Sequence, residues 1–174
     1  MSLYTASRRV SACPSRRLGA LVSAGSVEGW VAAVKRNKPK VAPAVPSAIK
    51  MILEAKVPRE DLASLSALIS GTAPLDPDIV DAFYDRYGIP ILANYGATEF
   101  AGAVAGWNID DFRAHWAAKR GAAGRVHADI DARIVDPESG ALLPPGTEGV
   151  LELKGDQLGN GGVWQRTTDR ARLD

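Results

Sequence analysis

From Ser26 to Ala93 the apolar residues alternate between helical and strand spacing, and few folds accommodate that alternation. Ser26 reads as a helix N-cap, its hydroxyl able to accept a free backbone N–H in the first turn. Val27, Trp30, Val31 and Val34 then recur at i, i+3, i+4 and i+7, one helical face. Lys35, Arg36 and Lys38 suit the negative end of the helix dipole, and Pro39 ends the helix. Val41 to Val45 reads as a short buried strand. Pro46-Ser47 opens a second helix with Ile49, Ile52 and Leu53 on one face, and Leu65 to Ser70 is the next strand. Asp76-Pro77 opens a third helix, the Asp capping and the Pro at the first position, where its missing N–H costs nothing. Ile79, Val80, Phe83 and Tyr87 form its buried face, Gly88 closes it, and a strand follows at Ile91–Ala93. Helix, strand, helix, strand, helix, strand predicts a mostly parallel sheet with flanking helices.

Past residue 99 the pattern changes. Ala101–Trp107 reads as one more strand, and Asn108 caps a short helix carrying Phe112 and Trp116 and ending at Gly121 after Lys119-Arg120. Beyond Gly124 the period becomes two: Ile130, Ala132 and Ile134 alternate with Asp129, Asp131 and Arg133. Turns at Asp136–Gly140 and Pro144–Gly146 and a strand at Val150–Leu153 complete a stretch of antiparallel β structure. The fold class expected is α/β: a mostly parallel sheet with helices over residues 26–107, then antiparallel β structure forming part of a small distorted barrel. The organisation expected is an irregular start at 1–25, an α/β subdomain at 26–121, and an antiparallel β subdomain at 122–174 that breaks off within a strand or turn. The start, read on its own, is frayed or a strand without its partners.

Composition removes several functions. No apolar run approaches the ~20 residues of a membrane span, and Met1–Tyr4 is not the start of a signal peptide. The lone Cys13 allows no internal disulfide and fits a reducing, cytoplasmic setting. The net charge of +1 hides an asymmetry: residues 1–60 carry 11 Lys and Arg against 3 acids. Those cations are scattered and lack interleaved aromatics, so a nucleic-acid partner is not expected. His115 and His127 have no metal-ligand spacing, and Gly155–Gly162 lacks the lysine and hydroxyl of a phosphate loop, so it reads as a flexible hairpin.

In parallel sheets ligands bind beyond the carboxyl ends of strands, and two candidate stretches sit there: Gly71–Pro74 and Asn94–Glu99. The second packs an aromatic ring, a flexible glycine, a hydroxyl and a carboxylate together. A ring can stack a base, a hydroxyl can bond a phosphate oxygen, and a carboxylate can hold a hard cation.

Six short motifs occur in order: Gly71-Thr72-Ala73-Pro74-Leu75, Tyr95-Gly96-Ala97-Thr98-Glu99, Gly121-Ala122-Ala123-Gly124-Arg125-Val126, Arg133-Ile134-Val135-Asp136, Pro145-Gly146-Thr147-Glu148-Gly149 and Trp164-Gln165-Arg166-Thr167-Thr168-Asp169. Together they resemble the adenylate-forming superfamily of acid–CoA ligases, peptide-synthetase adenylation domains and luciferases, with fatty-acid–CoA ligases most similar. The resemblance implies a carboxylic acid attacking the α-phosphate of ATP, with Mg²⁺ offsetting phosphate charge, to give an acyl-adenylate that then passes to CoA. It implies roles as well. Tyr95 would stack on adenine, with the backbone of Gly71, Thr72, Ala73 and Pro74 near the ring's other edge and the Asn94 oxygen facing its amino group. Thr98 would bond the α-phosphate and Glu99 would coordinate Mg²⁺. Asp169 would accept the ribose hydroxyls, and Gly96 and Ala97 would line the acid's path. One departure is Thr168, where the family has glycine, which matters if that residue needs positive φ. The family's Ser/Thr/Gly-rich phosphate loop would precede residue 1, and its lysine-bearing domain would follow residue 174. The 174 residues alone are therefore expected to be catalytically incompetent. Two alternatives remain: part of a peptide-synthetase adenylation domain, or a non-catalytic nucleotide-binding module that self-associates through exposed sheet edges as a homodimer.

Overall fold

The computed structural model describes residues 1–4, 26–71, 73–159 and 161–174, which gather into two compact units. Among these residues one unit takes 26–93 with 108–117, and the other takes 1–4, 94–107 and 118–174.

The first unit is the helix-covered parallel sheet. Helix α1 (Val27–Asn37) starts where the Ser26 hydroxyl accepts the Gly29 N–H at 3.1 Å, and it buries Trp30, Val31, Ala33 and Val34. Lys38 closes α1 in the left-handed conformation, before Pro39 is reached. Helix α2 (Pro46–Glu54) buries Ile49 and Ile52. Helix α3 (Pro77–Tyr87) begins at the Asp76 cap, whose carboxylate accepts the Asp78 N–H at 2.9 Å, and ends at Gly88 with φ 69°. Val80, Phe83 and Tyr87 are its buried face, while Ile79 stays half-exposed. The Tyr87 hydroxyl donates to the carbonyls of Ile52 and Val57, tying α3 to the end of α2.

Strands β2 (Val41–Pro43), β3 (Ala67–Ser70) and the first part of β4 (Ile91–Ala97) pair in parallel, with Leu68 opposite both Ala42 and Ile91. β3 starts later than its apolar run suggests because Arg59–Leu62 forms a 3₁₀ turn, and the Leu65 N–H is taken by the Leu62 carbonyl. Helix α4 (Ile109–His115) has the expected Asn108 cap, at 2.7 Å to the Asp111 N–H, but stops short of Lys119-Arg120. Trp116 ends it, stacked on Phe112 and donating its indole N–H to Asp81.

The second unit is a ladder in the order β4–β5–β6–β1–β9–β8–β7. Here β1 is Ser2–Tyr4, β5 Gly102–Gly106, β6 Gly124–Val126, β7 Asp131–Val135, β8 Gly149–Lys154 and β9 Gln165–Leu173. β7, β8 and β9 are antiparallel, as the period of two predicts. Among the described residues the ladder is open, with β7 at its edge: a piece of barrel wall. The start of the chain corrects one expectation. Ser2–Tyr4 is a paired strand, parallel to both β6 and β9, with Leu3 opposite Gly124 and Leu173. It pairs because Leu3 is fully buried among Phe100, Val104, Val126, Leu151 and Ala171. The rest of the expected irregular start, Cys13 included, lies outside the described residues.

Candidate functional site

Strand β4 does not stop at Ala93. Asn94 to Ala97, expected as a loop beyond a strand end, continue it and pair antiparallel with β5, Asn94 opposite Gly106 and Tyr95 opposite Ala105. The ladder shifts register between Tyr95 and Gly96, a bulge that re-aims the side chains on either side. Gly96 is small for a reason internal to the sheet: a Cβ there would sit 2.2 Å from the Gly102 carbonyl oxygen and 2.6 Å from the Ala103 Cα. Thr98–Phe100 then form one 3₁₀ turn. Phe100 anchors that turn in the core, which leaves Thr98 and Glu99 exposed on it. The return to β5 passes through Ala101 at φ 53° and Gly102 at φ 136°.

Tyr95 is half-buried, its ring tilted against Phe100 at 6.1 Å between centroids. Its hydroxyl donates to Asp169 Oδ2 at 2.5 Å, a bond between residues from the second and the last of the six motifs. Burial of the ring, the bond to Asp169, and the negative charges of Asp169 and Glu99 push the phenol well above its ordinary pKa. Tyr95 therefore stays a neutral donor.

Asp169 reaches that position through a second irregularity. Val150 faces Arg170 and Glu152 faces Arg166, so two steps along β8 oppose four along β9. The surplus falls on Thr167–Asp169. There the Thr167 hydroxyl donates to the Leu151 carbonyl at 2.9 Å and accepts the Asp169 N–H at 3.1 Å. Thr168 is not among the positive-φ residues, so a β-branched side chain in place of glycine brings no backbone strain.

The structure thus joins Tyr95 to Asp169 and carries Asn94, Gly96, Ala97, Thr98 and Glu99 on the same strand and turn. Gly71, Ala73 and Pro74 belong to the other unit. They form the exposed loop after Ser70, whose partner on β4 is Ala93. Thr72 lies outside the described residues. Among the described residues no group of three or more His, Cys, Asp or Glu could cage a metal. Glu99 is a single exposed carboxylate, which fits a Mg²⁺ that brings its remaining oxygen ligands as phosphate and water.

Two contributors carry weaker sequence signals. Thr167, two residues before Asp169, is a local side-chain–backbone motif that spacing could have revealed. Gln157 gave no signal beyond the glycines around it. It lies on a short 3₁₀ turn, Asp156–Leu158, and its amide reaches the carbonyls of Phe100 and Ala103 at 2.8 and 3.1 Å.

Residues 18–161 match the family described as AMP-binding enzyme. The chain is 32% identical over 150 residues to 4-coumarate–CoA ligase-like 9 of Arabidopsis thaliana, covering 85% of this chain and 26% of that protein. It is 33% identical over 116 residues to the Arabidopsis thaliana peroxisomal OPC-8:0-CoA ligase 1, covering 66% of this chain and 20% of that protein. The crystal structure of the anthranilate CoA ligase AuaEII in complex with anthranoyl-AMP superimposes with a TM-score of 0.74 at 22% identity, covering 87% of this chain and 31% of that one, a likeness of fold. The chain spans about a quarter of the length of the curated relatives it matches. By the family match and the similarity to these relatives, the chain belongs to the AMP-binding enzyme family.

Proposed function

We propose that this chain is the adenine-, ribose- and α-phosphate-holding part of an ATP-dependent acid–CoA ligase. The observation that carries the reading is the Tyr95–Asp169 hydrogen bond, which puts an aromatic face and a carboxylate side by side. Adenine stacks on the Tyr95 ring, with Asn94 as its polar contact. Asp169, with one oxygen on Tyr95, has lone pairs left for the ribose hydroxyls. Thr98 donates to the α-phosphate, and Glu99 holds the Mg²⁺ that offsets phosphate charge when it is bound. Ala97 lines the path of the attacking carboxylate, Gly96 lines it with its backbone alone because β5 fills the space of its missing Cβ, and the acyl group passes from the adenylate to CoA. The acid is a carboxylic acid with an apolar body. Fatty acids are one such class, and the relatives' names point to 4-coumarate as another.

Catalysis at phosphorus is mostly positioned charge. None of the described residues is assigned to the β- and γ-phosphates in this proposal, which therefore has the 174 residues binding nucleotide without turning it over.

Calorimetry with ATP·Mg²⁺ tests the reading. Wild type binds, and Tyr95→Ala loses about 1–3 kcal/mol, the worth of one base–aromatic stack. A wild-type chain that binds no nucleotide, or a Tyr95→Ala variant that binds as well as wild type, rejects it. Pyrophosphate release with a panel of fatty and hydroxycinnamic acids would refute the incompetence of the isolated chain.

A further inference from the structure

The glycine-rich segment between β8 and β9 matches no phosphate loop, yet it makes a specific contact. Gln157 projects from the Asp156–Leu158 turn, and its Nε2 donates to the carbonyl oxygens of Phe100 and Ala103. These two carbonyls flank the irregular step through Ala101 and Gly102, both at positive φ. They bracket the end of the turn that carries Thr98 and Glu99. Among the described residues the turn is also held by the Ala101 N–H to the Thr98 carbonyl at 3.1 Å and by the buried Phe100 ring. Thr98 and Glu99 themselves are exposed. Only a donor can serve here, because an amide oxygen or a carboxylate facing two carbonyls would repel both.

We propose that Gln157 is a positioning residue, and that its amide fixes the Thr98–Glu99 turn in the orientation that meets the α-phosphate and its Mg²⁺. The inference rests on the nucleotide reading above. It is specific to one half of the ligand: Tyr95 and Asp169 hold adenosine without help from Gln157, whereas Thr98 and Glu99 depend on it for phosphate and metal. The contact also gives the β8–β9 segment a function that its sequence does not announce.

The test is calorimetry of the 174-residue chain with ATP·Mg²⁺ and, separately, with adenosine, comparing wild type, Gln157→Leu and Gln157→Lys. Leucine keeps the bulk and removes the donor; lysine restores a donor of similar reach. In Gln157→Leu the affinity for ATP·Mg²⁺ falls about tenfold, the effect of losing a pair of ordinary hydrogen bonds, while adenosine binds as to wild type. Gln157→Lys recovers most of the ATP·Mg²⁺ affinity. Equal binding of both ligands by wild type and Gln157→Leu overturns the proposal. So does an equal loss for both ligands, which would mark Gln157 as a support of the fold alone. Wild type that binds neither ligand rejects the nucleotide reading itself, and this inference with it.

Discussion

The helix-covered parallel sheet and the seven-strand ladder each bury an apolar core, but the ladder adds to it a set of irregularities that the first region does without. In the first, stability comes from filling space: Ile49, Leu62 and Phe83 are fully buried, and Tyr87 spends its hydroxyl on two backbone carbonyls. In the ladder, the positions that shape the candidate site are those where space is withheld or regular pairing fails. Gly96 leaves no room for a Cβ, β4 and β9 both slip register, and Ala101 and Gly102 turn the chain through positive φ. The first region is broken by removing atoms, whereas the candidate site of the second is broken by adding them as well. A scaffold tolerates regularity, whereas the proposed site sits where the ladder departs from it.

Four substitutions can break or sharpen that contrast. Phe83→Ala carries the largest effect, a loss of about 3–5 kcal/mol in urea unfolding. A loss below ~1 kcal/mol would mean that the helical region is not held by packing. Gly96→Ala is next, at about 1–3 kcal/mol, because one added methyl meets backbone that cannot rotate away. Wild-type stability in that variant would show that β4 and β5 separate freely, and the contrast would collapse. Ser26→Ala removes the α1 cap and costs about 1 kcal/mol. Its effect on unfolding should exceed that of Tyr95→Phe, which removes a solvent-exposed bond worth about 1 kcal/mol or less.

Tyr95→Phe has a second signature, in its pH dependence. The folded phenol's pKa is raised by burial, by the Asp169 bond and by the negative charges of Asp169 and Glu99. Its contribution to stability is therefore complete below the ordinary phenol pKa of about 10, and it is lost as pH rises through the higher folded value. The stability difference between wild type and Tyr95→Phe should be flat at neutral pH and shrink on the alkaline side. A difference that grows with pH would contradict the Tyr95–Asp169 bond.

The sequence announces the regular region more fully than the irregular one, for physical reasons. The caps at Ser26, Asp76 and Asn108 and the faces of α1 to α3 are local, set by neighbours within one or two turns. The site's partners are remote. Tyr95 meets Asp169 across 74 positions, and Gln157 meets Phe100 across 57. No periodicity encodes such distances, so only the ordered motifs hinted at the first contact and nothing hinted at the second. Residues 94–97 read as a loop because Asn94 and Gly96 are weak strand formers, and their pairing with β5 overrides that preference. The three-residue strand Ser2–Tyr4 carries too short a pattern to reveal its partners, so the start reads equally as frayed or as an unpaired strand.

That strand also governs the order of assembly. β1 fills the middle of the ladder, yet its neighbours are Gly124-Arg125 on one side and Arg172-Leu173 on the other, so both of its pairings close very long loops. Contacts that distant form late, after the β4–β5 and β7–β8–β9 hairpins have collected locally. Until Leu3 docks, β6 and β9 each present an unpaired edge, an open template for another chain. Loss of the first four residues would leave the ladder as two half-sheets with those edges uncovered, and association of the half-formed protein should be most acute at that stage of folding.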